Sequence, residues 1–279
     1  MSEDLGKEMM LEAAKAVAVE GYKDTFQPAF KAIGSVVALP FQAIDVALSK
    51  PKLWVAEKHY NYERTCQLLA EKMKDIPEDI IVPPENYVAV PALQQIAYCF
   101  DSDELRDMYA NLLANSMNKV VKNGVHPGFV DIIKQLSPDE AKILRYMKFN
   151  RSIPTITLRY IRNSGGGVDI IKNFSNVGEL AECENPLDVA KYFDNLVRLG
   201  LIINAGGLSY LSDKTRYEPL KNHQWILSHA TESRAKMFGF DKYDFEEGYV
   251  KLSSYGESFC SICLDTQKVV IIKGKVNGE

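Results

Sequence analysis

The sequence predicts a mainly helical α+β protein, in which an N-terminal helical region is followed by a C-terminal winged-helix domain with a small β-wing. Apolar residues recur at helical spacing through the first 135 residues. From residue 136 the pattern becomes helix, strand, two helices and a hairpin, which is the element order of a winged helix. We therefore expect a helical region at 1–82, a connecting helical pair at 83–135, and a winged-helix domain at 136–279 with an insertion at about 212–247.

The N-terminal region contains a segment with two interpretations. The stretch from Pro28 to Leu48 is long enough to span a membrane, but Lys31, Pro40 and Asp45 interrupt it. Its Ala and Gly content suits close helix packing in lipid or in an oligomer. We expect a buried helix pair of a bundle or homo-oligomer, and conditional membrane insertion is the alternative.

The connecting pair is predicted from helix-start signals. Pro83-Pro84 forms an extended linker before two helices, Pro91 to Phe100 and Asp103 to Lys122. Asp101 and Glu104 have the spacing of a capping box, in which each carboxylate accepts an otherwise unpaired backbone N–H. Ser137, Pro138 and Glu140 repeat this signal and start the next helix.

The C-terminal domain alternates between helical and strand patterns. A threonine-rich alternating run predicts a strand from Pro154 to Ile161, and Gly165-Gly166-Gly167 predicts a turn. The further expected elements are a helix near Asp169 to Cys183, a helix from Pro186 to Leu199, strands at Leu201 to Ile203, Leu208 to Leu211 and Gly248 to Leu252, a helix from Ser254 to Leu264, and a last strand at Val269 to Ile272.

From composition and the N-terminal residues we expect a cytoplasmic protein that associates with a membrane only if it is activated to do so. An apolar share of 46% and a charged share of 25% are those of a folded soluble protein. The first residues are acidic and no secretory leader follows, and five scattered cysteines fit reduced thiols. The net charge of −4 argues against a broad nucleic-acid surface.

Candidate interaction residues lie in the connecting pair: Asp101, Glu104, Asn111, Asn115, His126 and Pro127. Asn111, Asn115 and Asn118 share one helix face, where they form either a buried polar network or, the interpretation we favour, a contact surface. His126 is expected to start a helix. The alternative is a general base, which would need a carboxylate or nucleophile in reach, and the nearby Asp131 permits this without requiring it.

The predicted recognition helix gives little support to DNA binding. From Pro186 to Leu199 its charges are two acidic and two basic, so the signs balance. Lys191 and Arg198 are the candidate nucleic-acid contacts if the domain is a DNA-binding regulator.

Motifs for catalysis, cofactors and metals are missing from the sequence. Cys260 and Cys263 form a Cys-x-x-Cys without the second ligand pair that zinc requires. The triplet at Gly165 lacks the residues of a phosphate-binding loop, and no serine stands in a Gly-x-Ser-x-Gly elbow. We expect a protein that is not an enzyme and has no cofactor or metal.

The sequence resembles the abortive infection alpha family, a bacterial domain of unknown function. The matching residues are Asp101, Glu104-Leu105, Tyr109 to Leu113, Ser116-Met117, His126-Pro127, Phe129-Val130, Gln135 to Ser137, Glu140-Ala141, Pro28 to Gly34 and Val250 to Cys260. This resemblance implies a role in antiviral defence but supplies no catalytic mechanism. We expect an effector or sensor that contacts protein partners as a homo-oligomer or defence-system subunit. The alternatives are a DNA-binding regulator and a membrane-acting toxin that uses Pro28 to Leu48.

Overall fold

The structure is a computed structural model of the chain. It describes residues 64, 67–74, 76–96, 102–205 and 211–266. The predicted N-terminal helices, the Pro28 to Leu48 segment, Asp101, most of the Leu208 to Leu211 strand and the last strand at Val269 to Ile272 lie outside these residues.

The described residues form two compact units of mixed helix and antiparallel sheet. The first unit comprises the described residues up to Gln135 together with those from Ser261 onward, and the second comprises the described residues of Leu136–Cys260. The sequence prediction instead kept everything from 136 to 279 in one domain.

The first unit is helical. Residues 67–73 are helical, and the named helices are α1 (Asn86–Ile96), α2 (Asp103–Ser116) and α3 (Gly128–Lys134). Helix α1 starts before Pro91 and contains it, although the prediction began the helix there. Proline removes one backbone hydrogen bond of a helix, and the burial of Val88, Ala92 and Ile96 on this helix offsets that loss.

An extended segment ends α2 earlier than predicted. Val82 N donates to Met117 O at 2.8 Å, and Lys119 N donates to Ile80 O at 2.9 Å. Ile81 therefore pairs with Asn118 as an antiparallel bridge. These backbone groups cannot also belong to a continuous helix, so the helix predicted to reach Lys122 stops at Ser116.

The second unit is built on a four-stranded antiparallel sheet. Its elements are α4 (Pro138–Phe149), β1 (Ser152–Ile161), β2 (Gly167–Phe174), α5 (Val177–Leu180), α6 (Val189–Arg198), β3 (Ile202–Asn204), α7 (Glu218–Lys221), α8 (Gln224–Leu227), α9 (Glu232–Met237), β4 (Lys242–Leu252) and α10 (Ser254–Cys263), whose last turn belongs to the first unit. The strand order is β2-β1-β4-β3.

The prediction of a helix near Asp169 to Cys183 is wrong for most of these residues. Residues Gly167–Phe174 form strand β2, and only Val177–Leu180 are α-helical. The cause is pairing with β1, which places Val168 opposite Tyr160 and Ile171 opposite Leu158. β-Branched residues pack well on such a pleated surface, and cross-strand contacts override a weak helical pattern.

The insertion between β3 and β4 is folded onto the sheet. Tyr217, Leu220, Ile226 and Ala235 from this segment are buried with side chains of β1 and β2. Tyr217 Oη also donates to Gly248 O at 2.9 Å, which fixes the insertion to β4. The insertion therefore shares a hydrophobic core with one face of the sheet.

Helix α10 approaches the start of β3 so closely that only glycine fits. A Cβ atom on Gly256 would lie 1.9 Å from Leu201 O. That contact is with backbone, which cannot swing aside as a side chain can.

We predict that Gly256→Ala destabilises the protein by about 2–4 kcal/mol, because overpacking against backbone outweighs the better helix propensity of alanine. Urea denaturation measures this change. Gly124→Ala is the control, since its added Cβ meets Ile262 at 3.6 Å, an ordinary contact. Equal stabilities of the two variants would contradict the prediction.

Candidate functional site

Helix α4 begins with the capping box that the sequence predicted. Ser137 Oγ accepts a hydrogen bond from Glu140 N at 3.3 Å, and Glu140 Oε2 accepts one from Ser137 N at 2.6 Å. Pro138 occupies the first turn. The capping box holds the neighbouring residue Asp139 at a fixed position in the first turn of the helix.

Asp139 is a buried carboxylate with three donors. Its Oδ1 accepts from Glu184 N at 2.8 Å, and its Oδ2 accepts from Asn185 N at 3.0 Å and from Tyr192 Oη at 2.8 Å. Burial raises the pKa of this carboxyl, but the hydrogen bonds outweigh it, so the pKa lies below its ordinary value. The ionised carboxylate fastens the loop before α6, and α6 itself, to α4.

The groups around Asp139 stay protonated. Burial and the hydrogen bond to Asp139 raise the pKa of Tyr192, which keeps its hydroxyl a donor. Burial and the nearby charge of Asp139 raise the pKa of Cys183 to about 11. A thiol with that pKa is almost entirely protonated at neutral pH.

The second buried carboxylate, Glu140, restrains one of the candidate nucleic-acid contacts. Glu140 Oε1 accepts from Asn195 Nδ2 at 2.8 Å. Asn195 Oδ1 in turn accepts from Arg198 Nε at 3.0 Å. The guanidinium is thus held against its own helix, which reduces its freedom to reach a phosphate.

Lys191, the other candidate, pairs with Asp188 at 3.3 Å on the same surface. Residues 177–198, which we call the helical head, are predominantly acidic. The acidic residues are Glu179, Glu182, Glu184, Asp188 and Asp194, against Lys191 and Arg198 as the only basic ones. The Lys142 ammonium donates to the backbone carbonyl of Glu182 at 3.1 Å.

Large apolar side chains are exposed on the helical head. Leu180 is 53% exposed and Leu187 is 45% exposed. A Cβ atom on Gly178 would lie 2.3 Å from Pro186 O, so the segments that carry the two leucines are in close contact. The helical head therefore presents apolar groups among carboxylates, a combination that sequence analysis missed because it considered only Pro186 to Leu199.

The asparagines of α2 are buried, and our preferred interpretation of them as a contact surface is wrong. Asn115 Nδ2 donates to Ile262 O at 2.7 Å and to Asp265 O at 2.8 Å. Asn111 Nδ2 donates to Cys263 O at 3.1 Å. The last backbone carbonyls of a helix have no hydrogen-bond donor within the helix. At the end of α10, the side-chain amides of Asn111 and Asn115 are those donors.

Helix α2 is capped by a neighbour of the predicted residue. Ser102 is the N-cap, since its Oγ accepts from Leu105 N at 3.2 Å and donates to Glu104 Oε2 at 3.2 Å. The predicted N-cap is therefore wrong by one position, and the third residue of the helix is Leu105, whose side chain cannot complete a capping box. Asp101 and Ser102 are both good N-cap residues, and the backbone conformation selects the second.

His126 starts α3 as a capping residue. Its Nδ1 accepts from Gly128 N at 3.0 Å, and its ring centroid lies 5.8 Å from that of Phe129. Pro127 is the N-cap residue that follows it. These contacts fit the helix-entry role expected of His126.

Within the described ranges, no group of three or more His, Cys, Asp or Glu side chains is arranged to hold a metal ion. Cys260 and Cys263 are buried thiols on α10. In the same described part of the chain, no helix has the length and apolar character needed to cross a membrane.

Comparison with known protein families identifies a family model that matches most of the chain. The model of a family described as abortive infection alpha matches residues 57–263. No curated protein matches the chain. A solved structure, of an uncharacterized protein from the hydrocarbon-degrading marine bacterium Alcanivorax borkumensis SK2, has 19% identity and a TM-score of 0.32, and the match covers 46% of this chain and 85% of that one.

We predict that Asp139→Asn lowers the free energy of unfolding at pH 7 by about 1–3 kcal/mol, because an amide cannot accept from all three donors. The folded-state pKa is lowered, so the stabilisation is present above the unfolded value of about 3.9 and is lost as the pH falls below it. Urea denaturation at pH 7 and pH 3 should show the difference between wild type and variant shrinking in acid. Asp194→Asn is the exposed control, and a pH-independent difference would contradict the assignment.

We also predict that Asn115→Ala destabilises the first unit by about 1–3 kcal/mol, since the buried carbonyl of Ile262 and the partly buried carbonyl of Asp265 lose their donor. Hydrogen exchange should show faster opening of α2 and of the end of α10. Asn123→Ala, at an exposed position, should leave exchange unchanged. Unaltered exchange in Asn115→Ala would show that the network is dispensable.

Proposed function

This chain belongs to the abortive infection alpha family, and we propose on that premise that it is a bacterial antiviral defence protein that acts through protein contacts and without catalysis. The family match supports the abortive-infection role. The mode of action is our inference from the helical head, where exposed leucines lie among carboxylates.

We propose further that the second unit is a winged helix with one added strand. Helix α4, β1, α5, α6, β3 and β4 follow one another in the order of that module, and β4 lies between β1 and β3. On this interpretation β2 is the added strand, and the segment between β3 and β4 replaces the wing. Helix α6 then takes the position of the recognition helix.

Charge favours a protein partner over DNA at this position. DNA-binding proteins neutralise phosphates with lysine and arginine. The helical head has five acidic residues against two basic ones, and Asp188 and Asn195 already bind Lys191 and Arg198. Acidic residues around Leu180 and Leu187 suit a partner surface that is basic and apolar.

The test is phage restriction in a host where the intact locus restricts infection. We expect Glu184→Lys combined with Leu187→Asp to raise phage plating by at least about tenfold, because about 1.4 kcal/mol of lost affinity changes binding tenfold. Glu218→Lys combined with Leu227→Asp, at an exposed carboxylate and an exposed leucine of the insertion, makes the same change in charge; it is the control and should restrict as wild type does. Thermal unfolding verifies that each variant is folded.

Two outcomes would contradict this proposal. If the double variant leaves phage plating unchanged, the helical head is not needed for restriction. Salt-sensitive duplex binding that Lys191→Glu with Arg198→Glu abolishes would instead identify a DNA-binding regulator.

A further inference from the structure

Two consecutive large apolar side chains are exposed at the end of α9. Met237 is 79% exposed and Phe238 is 58% exposed. No other large apolar side chain among the described residues is more exposed than Met237. Scattered exposed apolar residues are normal on proteins, but neighbouring ones form a patch.

The backbone at the end of α9 determines that these two side chains face outward. Gly239, with φ +79°, follows Phe238. Gly239 N donates to Lys236 O at 3.0 Å, and Phe240 N donates to Ala235 O at 3.0 Å. This pair of bonds is a Schellman motif, whose apolar contact joins the residues that lie inside the turn. Here those residues are Ala235, which is in the core of the unit, and Phe240, which is partly buried and packs against that core, so Met237 and Phe238 are left outside.

The turn between β1 and β2 supports this end of α9. Arg162 Nε donates to Gly239 O at 3.2 Å, and the guanidinium lies 4.8 Å from the centroid of the Phe240 ring. Asn163 N donates to Asp241 Oδ2 at 2.7 Å. The Phe238 ring lies 6.1 Å from that of Tyr160, a buried residue of β1. The exposed pair is therefore held in place by the sheet.

The segments that carry and support this apolar pair have more basic than acidic residues, although the whole chain has a net charge of −4. The charged residues of the two segments, 162–163 and 232–242, are Arg162, Arg234, Lys236 and Lys242 against Glu232 and Asp241. Glu232 pairs with Lys236 at 3.5 Å, and the Asp241 carboxylate accepts from the backbone of Asn163. We call Met237, Phe238 and these four cations the apolar tip.

We propose that the apolar tip docks on an anionic lipid surface. Met237 and Phe238 would enter the boundary between headgroups and acyl chains, while the cations contact lipid phosphates. Membrane-surface elements combine apolar and aromatic residues with lysine and arginine in this way, and their binding strengthens with anionic lipid. The local excess of positive charge favours this occupant, since a bilayer presents phosphates above an apolar layer.

Vesicle co-sedimentation of the full chain tests the proposal. The probes are vesicles of phosphatidylethanolamine with phosphatidylglycerol, and vesicles of phosphatidylcholine alone. We expect binding to the anionic vesicles only, weakened by salt, and reduced at least about tenfold by Met237→Glu with Phe238→Glu. Phe149→Glu is the control, because Phe149 is also in the second unit and is 76% exposed.

Three results would overturn the proposal. They are absence of binding to anionic vesicles, binding that the double variant retains, and loss of self-association by the double variant while vesicle binding is unaffected. The last would show that the tip is a protein contact. The assay involves no phage and no residue of the helical head, so its failure is distinct from failure of the proposed function.

Discussion

The arrangement of the second unit depends on the buried carboxylate of Asp139. It accepts hydrogen bonds from two successive backbone N–H groups and from the Tyr192 hydroxyl. A buried charge is tolerated only when such donors surround it, and removal of a partner leaves the charge uncompensated. The pKa of Asp139 is lowered because these hydrogen bonds stabilise the ionised form more than burial destabilises it. Through this carboxylate, α4 determines where α6 and its preceding loop lie, and therefore which residues of the helical head face solvent.

The second unit separates its charges into two surfaces of opposite sign. The helical head has exposed leucines among carboxylates, whereas the apolar tip has Met237 and Phe238 among cations. The net charge of the chain is a sum over all residues, so it does not show that the two surfaces differ in sign. Each surface is positioned by backbone geometry, with close packing at Gly178 in the head and a glycine-terminated helix at the tip. Such rigid presentation lowers the entropy lost on binding.

In the first unit, the row of asparagines on α2 is buried and binds backbone carbonyls within the protein. Asn111 and Asn115 have the spacing of a helix face, and a polar face on an isolated helix would point to solvent. In the fold this face instead meets the end of α10, whose carbonyls need donors. More than 140 residues separate the partners along the chain, so no local pattern in α2 contained that information.

The sequence by itself determined the local features of this protein. The capping box at Ser137, the strand β1, the helix that follows Pro186, the short strand β3 and the second half of β4, from Gly248 to Leu252, were predicted, because helix caps and side-chain periodicity depend on residues a few positions apart. The first half of β4 was instead assigned to the insertion. The family resemblance was also predicted, and the family match confirms it. Tertiary structure alone decided that β2 is a strand, that the asparagines of α2 are buried, and that Met237 and Phe238 are exposed. Each of these depends on which distant segment supplies a hydrogen-bond partner or an apolar surface, and contacts between distant segments exist only once the chain has folded.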